Sequence, residues 1–332
     1  MVGFEFANSD HWVSRSKQYR SSISDIPLDP GETRDRRGFL EDVMTKTKVL
    51  VAGATGYLGG NIVRALHGRG YWVRALARKE SRLGDNRPFC DEVVEAEATN
   101  PGTLNDLVDG AKILVSSLGK HDFKRKPTAR QVDYQANLNL LQRAVAGGVE
   151  HVVFVSVFNG GALRERGIDS IACREDVVDA IKASGLTWTI IRPTGFFNDM
   201  KDFFHMAAKG TGWVIGDGAQ RINPIHGADL ADFIGDALDD PRSRGQERSV
   251  GGPDTFTFRE ILELAFDALR RKPKVRGLPF WLLNGSTPLV GLVNPFVADL
   301  MRSVAALSEL GAVAPPYGTH HLADLFLELA AK

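Results

Sequence analysis

The pattern of apolar and polar positions divides the chain into two kinds of segment, which follow one another. From Lys46 to about Thr194, short runs of Val, Ile, Leu and Ala are separated by stretches in which apolar residues recur with a helical period. The runs include KVLVAGA, YWVRALAR, DEVVEAEA, AKILVSSLG, HVVFVSV and LTWTIIRPTG. Nearly continuous apolar runs are typical of strands that are covered on both faces. The pattern therefore predicts an α/β protein with a doubly wound parallel sheet.

After Gly195 the alternation becomes less regular, and the C-terminal part is rich in proline and apolar residues. We expect three parts: a flexible N-terminal extension over 1–43, the α/β domain over 44–270, and a small C-terminal lobe over 271–332 that covers a cleft in that domain. The extension is polar and shows neither a helical period nor a strand period. We interpret it as a disordered extension, or as chain that precedes a true start at Met44.

Charge and cysteine content narrow the classes of partner. The chain has 41 basic and 41 acidic residues, so nothing in its net charge favours a nucleic acid or an anionic membrane as partner. Cys90 and Cys173 have no metal-ligand or disulfide spacing, which agrees with a reducing compartment and with no metal site. The most apolar stretch, 278–297, is interrupted by three prolines. We interpret it as short buried helices and turns rather than as a membrane span.

Three evenly spaced glycines follow the first strand, in VLVAGATGYLGGNIVRAL. Gly53 would allow a sharp exit from the strand, Gly56 would leave room for a closely bound anion, and Gly59 would let the next helix lie against the sheet. Amides at the start of a helix lack partners within it, and the helix dipole favours an anion there. Because this turn joins a strand to a helix at the start of a β-α series, it predicts a dinucleotide site.

The second strand ends in the cation-rich stretch VRALARKESR. A site for NAD has a carboxylate here, which accepts hydrogen bonds from ribose hydroxyls. This segment instead carries Arg74, Arg78, Lys79 and Arg82, with no acid before Glu80. A carboxylate would repel a 2′-phosphate, whereas an arginine can bind it through paired, charge-assisted hydrogen bonds. We therefore predict NADP(H) as the cofactor, with Arg78 as its principal contact; a solvated basic loop is the alternative.

Four segments are together more specific than the glycine turn: GATGYLGG, VDYQANLNLLQRAVAGGVEHVVFVSV, KASGLTWTIIRPTGFF and NPIHGADLA. In these segments the chain, from about Lys46 to Leu264, resembles the atypical short-chain dehydrogenase/reductases of the NAD(P)H-binding, NmrA-like type. The later segments GGPDTFTFREILELAFDALRRKPKV and YGTHHLADLFLEL more loosely resemble the divinyl chlorophyllide 8-vinyl reductases. The resemblance implies a Rossmann fold with the cofactor across the carboxyl ends of the strands.

The resemblance also implies roles for residues near the cofactor. The pyrophosphate would lie along Thr55, Gly56, Tyr57 and Leu58, a ribose beside Ser117, Leu118 and Gly119, and the nicotinamide beside Pro193, Thr194 and Gly195. Ser156, at the end of the fifth strand, matches the serine that these enzymes keep near the nicotinamide. Phe196 and Phe197 would point toward the substrate.

The chain departs from this family at the catalytic pair. Ordinary members have Tyr-x-x-x-Lys on the helix after the fifth strand, where the Tyr exchanges a proton with the substrate and the Lys lowers its pKa. In SIACR, Ser170 stands in place of the Tyr and Arg174 in place of the Lys. A serine is not acidic near neutral pH and an arginine keeps its proton, which argues against that mechanism of carbonyl reduction. The catalytic candidates are therefore Ser156, Ser170 and Arg174, the last as a fixed cation.

Together these expectations predict an NADPH-dependent oxidoreductase that transfers hydride to a small, largely apolar substrate, at a conjugated C=C bond or a carbonyl group. A non-catalytic NADP(H)-binding regulator or assembly factor is the first alternative. An epimerase or dehydratase is the second, and it fits the missing Tyr and Lys less well. We interpret Asp229, in HGADLA, as a helix N-cap or a support for the sheet. We expect a small-molecule substrate, no nucleic acid, no transmembrane segment and a cytoplasmic protein; a plastid or membrane-associated location and the oligomeric state stay open.

Overall fold

A computed structural model describes residues 46–120 and 126–331 of the chain. The flexible extension predicted over 1–43 lies outside these residues. From Thr47 onward the chain forms one compact unit. The predicted boundary between the α/β domain and the C-terminal lobe, after residue 270, stays a prediction.

The strands form one large sheet and two small ones. Their bounds are β1 Lys48–Ala52, β2 Trp72–Ala77, β3 Glu92–Glu95, β4 Ile113–Ser116, β5 His151–Val155, β6 Thr187–Pro193, β7 Gly212–Ile215, β8 Arg221–Ile222, β9 Gln246–Val250, β10 Phe256–Thr257 and β11 Val275–Leu278. Seven strands form a parallel sheet in the order β3-β2-β1-β4-β5-β6-β9. Strand β8 pairs with β10 antiparallel, and β7 pairs with β11 parallel.

Helices connect the strands and form the C-terminal part. Their bounds are α1 Tyr57–Gly68, α2 Asn137–Ala146, α3 Gly160–Glu165, α4 Asp169–Ala183, α5 Phe197–Ala208, α6 Gly227–Asp239, α7 Phe258–Ala268, α8 Phe280–Val293, α9 Pro295–Leu310 and α10 Leu322–Ala330. A π-helix, Arg130–Ala136, leads directly into α2, and short 3-10 helices span Glu80–Phe89, Pro101–Thr103 and Pro241–Ser243. Helix α7 begins with a capping box, in which Thr257 Oγ1 accepts from Glu260 N at 3.1 Å and the Glu260 carboxylate accepts from Thr257 N at 2.7 Å.

Alternate residues of β1 face two separate helical layers. Val49 and Val51 lie in the core that α1 and α6 cover, and Leu50 and Ala52 lie in the core that α2 and α4 cover. All four are fully buried, and each large aliphatic side chain of this kind stabilises the fold by about 1.5–3 kcal/mol. Covering on both faces explains why the strands are apolar without alternation. The predicted α/β class and doubly wound parallel sheet are confirmed.

The strand order reverses at β1, which has β2 on one side and β4 on the other. The connection after β1 leads to one half of the sheet, and the chain later crosses to the other half. A crevice therefore opens at the carboxyl ends of β1 and β4, which is where open α/β sheets bind their ligands.

Helices of the C-terminal half form a third core. Phe197 and Phe204 of α5 pack with Phe266 of α7 and Phe326 of α10, and the ring centroids of Phe204 and Phe326 are 5.7 Å apart. This core holds the loop after β6 in place, because α5 begins four residues beyond the end of that strand.

The apolar stretch 278–297 differs from expectation. It forms the end of β11, helix α8 and the start of α9, but the side chains of Trp281, Leu289 and Leu292 are 73%, 69% and 84% exposed. The interpretation of this stretch as buried is therefore wrong for these residues. No helix within the described residues is both long and apolar enough to cross a bilayer.

Candidate cofactor and active site

The predicted cofactor residues gather at one edge of the large sheet. Arg78, Gly53, Ser117, Ser156 and Thr194 directly follow β2, β1, β4, β5 and β6, and these five strands are adjacent in that order. All the strands are parallel, so the five positions line one edge. The order in the sheet could not be read from the sequence, but the placement after strand ends could.

The glycine turn forms a cradle that side chains would fill. Gly53 has a φ of +88°, and a Cβ on it would stand 2.9 Å from Ser117 Oγ. A Cβ on Gly59 would stand 2.0 Å from the carbonyl oxygen of Gly53, so only glycine lets α1 lie this close to the turn. No side chain caps α1 at Gly56, and its first turn holds no acidic residue. Uncapped amides and the positive end of the helix dipole fit the diphosphate of a dinucleotide.

The other residues of the turn play different parts. Thr55 is half-buried and Leu58 is buried among apolar side chains, so Leu58 can offer only its backbone to a ligand. Tyr57 is partly exposed, and its hydroxyl accepts a hydrogen bond from Gly227 N at 2.9 Å. Burial raises the pKa of Tyr57, which keeps the phenol neutral. Tyr57 thus joins the start of α1 to the start of α6.

The cations at the end of β2 are of two kinds, exposed ones and one that is buried in an ion pair. Arg78, Lys79 and Arg82 are exposed, and none of them forms an ion pair within the described residues. Arg74 was predicted to belong with them, and this is wrong. It lies inside β2, is buried, pairs with Glu92 at 2.7 Å and donates to the carbonyl of Leu107 at 2.9 Å. Three cations are therefore free to meet a phosphate.

Arg174 is committed to a buried ion pair. Its Nη1 contacts Asp133 Oδ1 at 2.8 Å and the Leu118 carbonyl at 3.4 Å, and its Nη2 donates to the Val155 carbonyl. The same Asp133 carboxylate accepts from Lys120 N at 3.3 Å. Burial raises the pKa of Asp133, and Arg174 opposes that rise. Arg174 therefore ties the loop after β4 to α4 and to the end of β5.

Glycine leaves room for the ion pair where this loop passes it. A Cβ on Gly119 would stand 2.5 Å from Arg174 Nη1 and 2.9 Å from Asp133 Oδ1. Next to it, Ser117 Oγ donates to the Ala52 carbonyl at 3.3 Å. The loop predicted to adjoin a ribose is thus fixed against both β1 and α4.

Ser156 belongs to a buried charged network that sequence reasoning missed. Its Oγ donates to Glu175 Oε1 at 2.7 Å, and Arg192 binds both Glu175 oxygens at 2.8 Å. Arg192 also donates to Glu247 and to the Val157 carbonyl. Burial lowers the pKa of Arg192, and its bonds with the two carboxylates outweigh this and raise that pKa. The network joins the carboxyl ends of β5 and β6 through α4.

Ser170 lies in the first turn of α4, next to Asp299 of α9. Its amide donates to Asp299 Oδ2 at 3.0 Å, and the amide of Asp169 donates to Asp299 Oδ1 at 2.6 Å. Asp299 of α9 thereby caps α4 from outside, an arrangement that also suits the helix dipole. The structure places Ser170 against the C-terminal helices, and its catalytic role stays a prediction.

The residues after β6 are mostly engaged with protein. Pro193 is buried, and the Thr194 hydroxyl donates to the Asn223 carbonyl at 2.6 Å. Phe196 is half-buried, with its ring centroid 6.3 Å from that of Tyr57. Phe197 is buried in the third core. Substrate contacts by the two phenylalanines stay a prediction, for which Phe196 is the better placed.

A cavity of about 480 Å³ lies beyond the ends of β5 and β6. It is lined by Phe158, Asn159, residues 219–221 and residues 309–313. The amide of Phe158 donates to the Pro193 carbonyl at 3.0 Å, which connects the cavity wall to the end of β6. Its volume falls in the range of sites for small organic ligands, about 300–1,000 Å³. Sequence reasoning missed it because its wall comes from three distant segments.

The cavity wall is mixed in character. Phe158, Leu310 and Val313 supply apolar surface, and Arg221 adds an exposed cation. Within the described residues, the Oε1 atom of Gln220 is buried without a hydrogen-bond partner. Buried acceptors usually have partners, so this atom is suited to a donor from a ligand or from water.

The start of α6 fastens the C-terminal segment. His226, not Asp229, is the N-cap, and its Nδ1 accepts from Ala228 N at 3.3 Å. Asp229 is buried, accepts from the amides of Thr319 and His320 at 3.2 and 3.1 Å, and contacts His320 Nδ1 at 2.7 Å. Asp229 therefore supports the fold near the site and has no free oxygen for catalysis.

Comparison with known proteins gives three main likenesses. The model of the family described as NAD(P)H-binding matches residues 53–241. The chloroplastic divinyl chlorophyllide a 8-vinyl-reductase of Oryza sativa subsp. indica is 31% identical over 84% of this chain and 71% of its own length. The photosystem II assembly factor Ycf39 of Guillardia theta is 26% identical over 71% of this chain and 74% of its own.

Among solved structures, the NADPH-dependent quinone oxidoreductase QOR2 of Escherichia coli, complexed with NADPH, is similar in fold. It superimposes with a TM-score of 0.69 at 17% identity, over 85% of this chain and 99% of its own. At that identity the likeness concerns the fold alone. The resemblance stated from sequence motifs is confirmed by the family match and by the plant relative.

Proposed function

Because the chain belongs to the NAD(P)H-binding family, we propose that it is an NADPH-dependent oxidoreductase that reduces a conjugated C=C bond or a carbonyl group of a small, largely apolar substrate. The observation that carries this proposal is the cavity beyond β5 and β6, which begins two residues after Ser156. It adjoins the edge where the cofactor residues gather. When bound, the cofactor supplies a hydride.

The chain's residues have distinct tasks in this proposal. The amides of the turn from Gly53 to Gly59 hold the diphosphate, and Arg78 binds the 2′-phosphate. The ion pair of Arg174 with Asp133 positions the loop after β4 and does not touch substrate. Ser156 donates its hydrogen to Glu175 in the described state, so it can bind a substrate oxygen only after rotating its hydroxyl. A substrate that needs orientation and little proton transfer therefore suits the site.

The plant relative supports a reductive role. It is named as a vinyl reductase, and a vinyl group is a C=C bond. Conjugated groups accept hydride without the tyrosine that ordinary carbonyl reductases use, which agrees with Ser170 and Arg174 at the positions of the pair.

A non-catalytic NADP(H)-binding assembly factor is the second candidate. The observation that favours it is that Ser156 and Arg174 are both engaged by buried carboxylates, Glu175 and Asp133. A relative at 26% identity is named as an assembly factor. In that role the charged networks would hold the cofactor loops in one conformation. Binding of NADP(H), rather than its oxidation or reduction, would then be what the protein signals.

Oxidation of NADPH by the purified full chain, with an enone, a quinone or a vinyl-bearing tetrapyrrole as acceptor, separates the candidates. An enzyme consumes NADPH with at least one acceptor, and Val313→Glu lowers kcat/KM by about tenfold or more, because a charge replaces one of the apolar side chains of the cavity wall. The control Val145→Glu changes a valine of similar exposure outside the cavity and leaves the rate unchanged. Tight NADPH binding without oxidation above background for any acceptor would favour the assembly factor.

A further inference from the structure

Among the α8 residues whose side chains the structure describes, one exposed face is made of apolar residues. Trp281, Leu282, Leu289 and Leu292 are all exposed, with Leu292 at 84%. At 3.6 residues per turn these positions, with the exposed Gly285 and Pro288 between them, cover about 120° of the helix circumference. We call these four side chains the α8 face. Monomeric proteins seldom leave a continuous apolar surface of this kind in water, so it indicates a binding surface.

A cationic segment lies directly before the α8 face. Residues 270–276, which we call the basic segment, contain Arg270, Arg271, Lys272, Lys274 and Arg276, all exposed. No Asp or Glu occurs between Asp267 and Asp299. The two features are therefore joined in the chain: cations come first, an apolar helix follows, and no acidic residue lies between them.

Two exposed tryptophans lie in the same region. Strand β11 contains the last two residues of the basic segment and leads toward α8, and it pairs with β7, so that Arg276 lies opposite Trp213. The Arg276 guanidinium stands 5.6 Å from the Trp213 ring, and Trp213 is 40% exposed. Trp281 opens the α8 face itself. Tryptophan favours the boundary between headgroups and acyl chains, where an apolar ring and a polar N–H are both satisfied.

We propose that α8 docks in the plane of a lipid bilayer that contains anionic headgroups. The α8 face enters the acyl boundary, and the basic segment contacts the negative headgroups beside it. The helix has 14 residues and a length of about 21 Å, too short to span the hydrocarbon core of about 30 Å. An apolar face with adjacent cations is the arrangement of helices that lie in the interface.

Charge complementarity favours lipid over a second copy of the chain. In a symmetric contact the second copy would bring its own basic segment to the same interface, where like charges repel. A bilayer with anionic lipids supplies an apolar interior and a negative surface together. The docking surface also lies close in the chain to the cavity, because α9 follows α8 and its end lines the cavity wall.

The test is flotation of the full chain with phosphatidylcholine vesicles, with and without phosphatidylglycerol. We expect binding to the anionic vesicles and much weaker binding to neutral ones. Leu289→Glu/Leu292→Glu lowers the partition coefficient about 100-fold, because two leucines that the bilayer would bury are lost and two charges are added. Lys272→Glu/Lys274→Glu lowers it at least about tenfold. Raising the salt from about 0.1 M to about 1 M weakens binding, since the Debye length falls from about 10 to 3 Å.

Matched controls make each result decisive. Val145→Glu/Leu327→Glu changes two exposed apolar residues on other helices, and Arg242→Glu/Arg244→Glu reverses two exposed cations in another loop. Both controls should bind vesicles like the unchanged chain. The proposal is overturned by no binding to anionic vesicles, by equal binding to neutral ones, or by equal losses in the controls. It is also overturned by a dimer in solution that Leu289→Glu/Leu292→Glu dissociates while vesicle binding is absent.

Discussion

His151 is the first residue of β5 and is buried at the start of that strand. The Thr189 hydroxyl donates to the Ser243 carbonyl at 2.9 Å, so it accepts from His151 Nε2 at 3.0 Å. Burial, with a smaller contribution from Arg244, lowers the pKa of His151 to about 4. An unfolded histidine has a pKa near 6.5. Because the folded value is the lower one, the stabilising contribution is complete above a pH of about 6.5 and is lost as the pH falls through about 4.

The pH dependence of unfolding tests this directly. Between pH 7.5 and pH 4.5, we expect His151 to remove about 2 to 3 kcal/mol from the free energy of unfolding, because the unfolded chain binds a proton that the folded chain does not. Urea unfolding of His151→Asn should therefore show a shallower loss over the same range. The variant His205→Asn, at an exposed histidine, serves as the control. An unchanged slope in His151→Asn would contradict the assignment.

Single residues differ in how well the sequence predicts them. The role of Gly59 was predictable, because the third glycine of a strand-turn-helix motif lies where the helix meets the turn, and the structure leaves no space for a Cβ there. Arg74 was counted with the cations at the end of the second strand, but it pairs with Glu92 instead. It lies inside an apolar run, so it must be buried within β2, whereas Arg78 follows the last strand residue and reaches solvent. Position relative to a strand end decides between the two.

At the scale of elements, β5, α4 and β6 are held together by one charged network. Glu175 accepts from Ser156 and from both terminal nitrogens of Arg192, and all three are buried. A Cβ on Gly160 would stand 2.2 Å from Glu175 Oε1, so a side chain at the start of α3 would displace this carboxylate. The network fixes the strand ends that face the cavity.

Removal of one charge from this network should be costly. Glu175→Gln keeps the shape and a hydrogen bond but leaves Arg192 with Glu247 as its only carboxylate among the described residues, and we expect the free energy of unfolding to fall by about 3 kcal/mol. Urea unfolding measures it. Asp176→Asn, on the same helix, removes a surface partner of Arg164 and should have a much smaller effect. Equal effects of the two variants would show that the buried network does not hold the strand ends.

Elements were predicted better than the contacts between them. The strand runs are apolar because helices cover both faces, so their existence follows from the sequence alone. Arg192 is a polar residue within such a run and Glu175 lies on helix α4, and only the fold shows that the two meet. Helix α8 was predicted as apolar, but apolar content does not say what covers a helix, and the α8 face is exposed. A zero net charge likewise concealed the basic segment next to it.

At the scale of the whole molecule, the C-terminal segment returns to the large sheet. Asn223 binds the carbonyl and the amide of Ala314 at 2.9 and 3.1 Å, and Gly251 donates to Pro315 at 3.0 Å. Further along the chain, the Asp229 carboxylate accepts hydrogen bonds from the amides of Thr319 and His320, just before α10. The segment therefore closes over the end of β9 and the start of α6, and it completes the wall of the cavity on its way.

Loss of the Asp229 carboxylate should loosen this closure. In Asp229→Ala the amides of Thr319 and His320 lose a buried, charged acceptor, and we expect unfolding to become easier by about 2–4 kcal/mol. Limited proteolysis, followed by mass spectrometry, should show cleavage between α9 and α10 sooner than in the unchanged chain. Asp254→Ala removes the exposed partner of His321 and is the control. Cleavage of both variants at the same rate would show that Asp229 does not hold the C-terminal segment in place.

The central claim is that this edge of the sheet binds NADPH, with Arg78 on its 2′-phosphate. Calorimetric titration of the full chain with NADPH and with NADH, for the unchanged chain, for Arg78→Asp and for Arg242→Asp as a distant control, tests it most directly. We predict tighter binding of NADPH than of NADH. In Arg78→Asp we expect affinity for NADPH to fall about 10- to 100-fold while affinity for NADH is kept, because a charge-assisted bond is replaced by repulsion. Equal affinities of the unchanged chain for both cofactors, or an equal loss in both variants, would contradict the account.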